Sequence, residues 1–102
     1  MKIEEINKIK ILGKPYKVVW MDGDKNVDFF EGKLGKSNHI LQIIYIDDAC
    51  ADEQKIDTFI HEVLHCIIDN LDLRLEEKQV HALACAITSF ILENAKNIVF
   101  TD

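Results

Sequence analysis

The segment from Ile56 to Leu71 constrains this chain more than any other. Ile56, Phe59, Ile60, Val63, Leu64, Ile67, Ile68 and Leu71 recur at steps of three and four, the spacing of the buried stripe of an amphipathic helix. Such a helix needs a second layer to cover its apolar side. The same stretch contains His61-Glu62-Val63-Leu64-His65. Residues four apart stand one turn apart on one helical face, so both imidazoles can reach a single cation. Glu62, next to the first histidine, is placed to take a proton from water at that cation. The pattern predicts a Zn2+ site with a carboxylate general base, carried on a helix whose opposite side is core.

Size and composition limit what surrounds this helix. With 102 residues, the chain is expected to form a single domain, residues 1–102, with a modest core. A hydrophobic fraction of 48 % beside 29 % charged residues is that of a soluble globular protein rather than a disordered one. No apolar run reaches the length of a membrane span, and Met1-Lys2-Ile3-Glu4-Glu5 lacks the apolar block of a secretory signal. The expectation is a cytoplasmic protein with no membrane partner. A net charge of −6 opposes binding to nucleic acid phosphates. Cys50, Cys66 and Cys85 are odd in number and lack paired spacing, which fits a reducing compartment rather than a disulfide framework.

Along the chain, strands come first and helices after. Lys8 to Met21 reads as a hairpin about a Gly13-Lys14-Pro15 turn. Val27 to Phe30 is weakly patterned and predicted as a strand, and Gly35-Lys36-Ser37-Asn38 as a loop. Ile40 to Ile46 is the strongest strand signal. The helix carrying the histidines follows, from Asp52 to about Asn70. A short link leads to a second helix, from about Glu76 to about Asn94, and Ile98-Val99-Phe100 forms an apolar tail that packs back or extends an edge. The predicted class is α+β: a small antiparallel sheet with two antiparallel helices packed on one face.

A catalytic zinc takes three protein ligands and keeps one position open. The subclass with a third histidine six residues after the second is excluded, because Ile68 and Leu71 occupy its glycine and histidine positions. The third ligand is therefore sought at the start of the second helix. Glu77 is preferred, since it lies three residues before Val80 and seven before Ala84 along the edge of the core stripe. Glu76 and His81 remain alternatives, and His81 also suits a supporting role behind a ligand.

The run Asp57-Thr58-Phe59-Ile60-His61-Glu62-Val63-Leu64-His65-Cys66-Ile67, followed by Glu76-Glu77-Lys78-Gln79-Val80-His81-Ala82-Leu83-Ala84, resembles the small His-Glu-x-x-His zinc metallopeptidases of phages and bacterial mobile elements. In outline it is similar to the ImmA/IrrE-like zincins. The resemblance spans residues 40 to 95 and implies a minimal zincin: strand, motif helix and glutamate-bearing helix, with the strand before the motif as the substrate-side edge. Leu64 and Gln79 stand where that group has a glycine and an acidic residue, so its repressor-type substrates do not carry over. The function expected is hydrolysis of peptide bonds in a protein or peptide substrate, with Glu62 activating a zinc-bound water. The alternative is a zinc-stabilised interaction protein without catalysis.

Overall fold

The computed structural model describes residues 2–97, so the apolar tail Ile98 to Phe100 lies outside the described residues. After a single 3-10 turn, the elements are β1 (Lys8–Ile11), β2 (Lys14–Met21), α1 (Val27–Phe30), β3 (Gly35–Asn38), β4 (Ile43–Asp47), α2 (Asp52–Asn70) and α3 (Glu77–Asn94). The α+β class, with a small sheet followed by two packed helices, is the one expected. The sheet is mixed rather than wholly antiparallel. Its order is β1-β2-β4-β3, with β2 and β4 parallel and the outer pairs antiparallel.

Local chemistry explains where the elements begin and end. Leu12 and Gly13 both have positive φ, 51° and 80°, the backbone of a two-residue hairpin turn whose twist matches its strands. The turn is therefore one step earlier than Gly13-Lys14-Pro15. Pro15 lies within β2 opposite Lys10, ahead of Lys17, where pairing with β4 begins, so its missing N–H breaks no ladder bond. The expected strand at Val27 to Phe30 is instead a single helical turn, closed by Glu31 at φ 53°.

The strand expected at Ile40 to Ile46 starts only at Ile43. The Asn38 side chain accepts hydrogen bonds from the backbone N–H groups of Ile40 and Leu41 at 3.0 and 2.9 Å, which turns the chain there. Ile40 and Leu41 are left 78 % and 67 % exposed. Conversely, Gly35 to Asn38 is not a loop but strand β3.

One face of the sheet supplies Ile11, Tyr16, Val18, Ile44 and Ile46, which pack with Phe59 and Cys66 of α2 into the core. Ile44 and Ile46 are fully buried, each worth about 1.5–3 kcal/mol relative to exposure. α3 packs on α2 through Val80, Ala84 and Thr88. Consequently α2 is sandwiched, with its motif along the groove between β3 and α3. Among the described residues no helix is long and apolar enough to cross a membrane.

Candidate metal centre

His61 and His65 project from one face of α2, and Glu77 meets them from the first turn of α3. The two Nε2 atoms are 3.1 Å apart. Glu77 Oε1 is 2.7 Å from His61 Nε2, and its Oε2 is 3.1 Å from His65 Nε2. A tetrahedral zinc with bonds near 2.0–2.1 Å holds its nitrogen and oxygen ligands about 3.3 Å from one another. These three groups stand close to that spacing, and their ligand atoms all lie within 4.8 Å of one another. Their donor types, two imidazoles and a carboxylate, suit zinc.

The start of α3 separates Glu76 from Glu77. Glu76 is the N-cap, and its backbone N–H donates to Gln79 Oε1 at 2.9 Å in a capping box. With Glu76 committed to capping the start of the helix, Glu77 in the first turn faces the histidines. Burial works to raise the Glu77 carboxyl, but the His61 hydrogen bond and both imidazoles outweigh it and hold the group below the usual carboxylate range. His65 and His61 side chains remain 30 % and 16 % exposed, so the centre opens to solvent.

Glu62 lines the same cleft on the side of β3 and is only 8 % exposed. Burial raises its carboxyl above the usual range, against opposing contributions from a Ser37 hydrogen bond and the two imidazoles. Ser37 and Gly35 of β3 thus form the wall beside Glu62. A cleft of about 940 Å³ runs past Gly35, Ser37, Glu62, His61, His65 and Glu77. Loop residues in sequence had hidden these two β3 contributors, since Gly-Lys-Ser-Asn carries turn propensity and no strand alternation.

His81 does not join the three converging groups. It lies one turn along α3, with its ring centroid 6.2 Å from that of His61, lining the same cleft. Its Nε2 is 3.7 Å from Cys85 Sγ. Asp69, one turn after His65, faces His39 Nδ1 at 3.4 Å rather than a ligand. Cys66 is fully buried in the core, where burial pushes its thiol up, so it is a packing residue.

Comparisons of the chain with family models, with curated proteins and with solved structures found no match.

Proposed function

We propose that the chain is a zinc-dependent peptidase in which His61, His65 and Glu77 hold the ion and Glu62 is the general base. One observation carries this reading: three ligands converge at zinc spacing on one side of a helix turn whose next residue is a buried, cleft-facing glutamate. A structural site has no use for such a carboxylate. Zinc at these residues supplies a Lewis acid for the scissile carbonyl and brings the pKa of water toward neutrality. Glu62, kept from bulk solvent and lining the cleft beside Ser37, takes the proton of the attacking water and hands it to the leaving amine.

The edge beside the cleft is β3, because β4 is paired on both sides and the other outer strand, β1, does not line the cleft. Asp47 N–H donates to Leu34 C=O at 2.8 Å, and the register places Lys36 opposite Tyr45 and Asn38 opposite Ile43. Alternation then turns the N–H and C=O groups of Lys36 and Asn38 toward β4, and those of Gly35 and Ser37 toward the open side. A substrate strand added there is held through its backbone, with broad sequence tolerance.

Hydrolysis of an unstructured protein substrate by the zinc-loaded chain, its loss on chelation and its recovery with zinc test the proposal. Glu62→Gln is expected to keep zinc and fold while losing turnover by ~10²–10⁴-fold. A fully zinc-loaded wild type that cleaves nothing in a broad peptide library overturns the peptidase reading in favour of a zinc-stabilised interaction protein.

A further inference from the structure

Helix α3 is exposed where a surface helix is normally charged. From Gln79 to Leu92, fourteen residues, it contains no Asp, Glu, Lys or Arg, although only Val80, Ala84 and Thr88 of the helix are buried. A helix lying against a single neighbour ordinarily turns charged and polar residues to solvent on its far side. Successive residues turn by about 100°, so Ala82 and Ala86, each two places beyond a buried residue, stand opposite the face that meets α2. Both are exposed. Beside them lie Leu83, 43 % exposed, and Phe90, 59 % exposed. The four recur at steps of three and four and so share one side of the helix, as an exposed apolar strip of the kind that marks an interaction surface.

Apart from Glu77 at the metal centre, the helix carries two charges, and each sits at the end that its own dipole disfavours. Lys78 lies in the first turn, where the macrodipole is positive, and Glu93 in the last, where it is negative. Among the described residues neither has an ion-pair partner. A second copy of α3 running antiparallel removes both conflicts, because it sets Lys78 of one protomer beside Glu93 and the negative helix end of the other. The same pairing, about a two-fold axis near Ala86, brings Leu83 of each protomer toward Phe90 of its partner. Parallel pairing would instead oppose Lys78 to Lys78 and Glu93 to Glu93.

We propose that the strip Ala82, Leu83, Ala86 and Phe90 is a homodimer interface, in which the α3 helices of two copies pack antiparallel about a two-fold axis. The contact is self-complementary, as a two-fold interface must be. A helix of 18 residues is ~27 Å long, and one side of it covers less than the ~800 Å² per partner of a standard interface. The dimer therefore exchanges with monomer in the micromolar range. Glu77 and His81 line the cleft on the side that meets α2, so pairing through the opposite side leaves the metal centre accessible.

Sedimentation equilibrium of the whole chain in the presence of chelator tests this. A monomer–dimer equilibrium in the micromolar range is expected. Ala86→Glu, which puts two carboxylates at the axis, should leave a monomer with an unchanged circular dichroism spectrum. Lys78→Glu and Glu93→Lys should each weaken association by roughly tenfold, since two exposed pairs per dimer turn from attraction to repulsion. The double reversal should regain wild-type association. Both reversals suit the dipole of α3 better than the native residues do, so weaker association cannot come from a weakened helix. A chain that stays monomeric at hundreds of micromolar would hand the strip to a different partner and overturn the pairing. So would an assembly larger than a dimer, association that survives Ala86→Glu, or a double reversal no better than either single one. Zinc uptake by the Ala86→Glu chain reports separately on the metal centre, which this pairing does not require.

Discussion

A β-carbon placed on Gly35 would stand 3.1 Å from Cγ of Glu62 and 2.7 Å from Cγ2 of Thr58. Strand β3 therefore approaches α2 as closely as it does only because position 35 has no side chain. Gly35→Ala forces the strand and helix apart at the carboxylate proposed as the base. The expected cost is about 1–3 kcal/mol, the usual range for overpacking, read from urea unfolding midpoints. Ser37→Ala, which removes a hydroxyl without adding volume, should cost less than Gly35→Ala in the same measurement; the reverse order would mean that the strand can shift freely.

Glu76 and Glu77 give opposite signatures. Glu77→Ala removes one of three converging ligands, and zinc affinity should fall at least as far as the 10–100-fold typical of losing a residue that merely supports a ligand. Glu76→Ala removes the N-cap of α3, so stability should drop by about 0.5–2 kcal/mol with zinc affinity within a few-fold of wild type. Competition with a chromophoric chelator reads the first quantity and denaturant unfolding of the metal-free chain reads the second. A larger zinc loss in Glu76→Ala would reassign the third ligand.

What the sequence made legible follows from where the information lies. Both long helices were readable, because a stripe such as Ile56, Phe59, Ile60, Val63 repeats the helical period over many turns and Asp52 and Asn94 stand close to real ends. That His61, His65 and Glu77 come together was legible for the same reason: their relation is set by helix geometry and one short link. Strand β3 was not legible. Gly35-Lys36-Ser37-Asn38 has the composition of a turn, and it is a strand because it pairs with β4 and because Gly35 admits α2, both of which are tertiary facts. Ile40 and Leu41 misled in the opposite direction, being apolar yet turned outward by the Asn38 side chain. The parallel pairing of β2 with β4 depends on chain routing through α1 and β3, which local pattern does not encode.

Tyr16 makes alkaline stability a readable property of the core. It is 1 % exposed and its hydroxyl accepts a hydrogen bond from Asn70 Nδ2 at 2.9 Å. Burial raises its pKa above the free value, with the Asn70 hydrogen bond only partly opposing the shift. The folded chain therefore holds this proton to higher pH than the unfolded chain, whose tyrosine titrates near pH ~10. Stability from this group is complete below that pH and is lost as pH rises from there through the folded pKa. Tyr16→Phe should be less stable at neutral pH by about 1 kcal/mol, the net worth of a hydrogen bond. That deficit should shrink above pH ~10. A wild-type advantage that stays constant through the alkaline range, measured by urea midpoints beside phenolate absorbance, would show that Tyr16 ionises as easily in the folded chain as in the unfolded one.

Proline substitutions along β3 distinguish the edge that is free from the edge that is used. The N–H of Lys36 faces Tyr45 of β4, whereas that of Ser37 faces the cleft, by alternation from the Asp47 to Leu34 hydrogen bond. Lys36→Pro deletes a bond within the sheet and should destabilise the chain more than Ser37→Pro does, because only the first removes a ladder hydrogen bond. Ser37→Pro deletes a donor that the sheet does not use, so most of the stability should survive while capture of a backbone-paired peptide is lost. Ser37→Ala controls for the hydroxyl beside Glu62. The measurement is peptide binding to zinc-loaded chains that carry Glu62→Gln throughout, so that turnover does not intervene. Binding that falls in Ser37→Pro but not in Ser37→Ala locates the peptide on the β3 edge. Equal binding in all three chains would move the peptide off β3 and leave the metal centre as assigned.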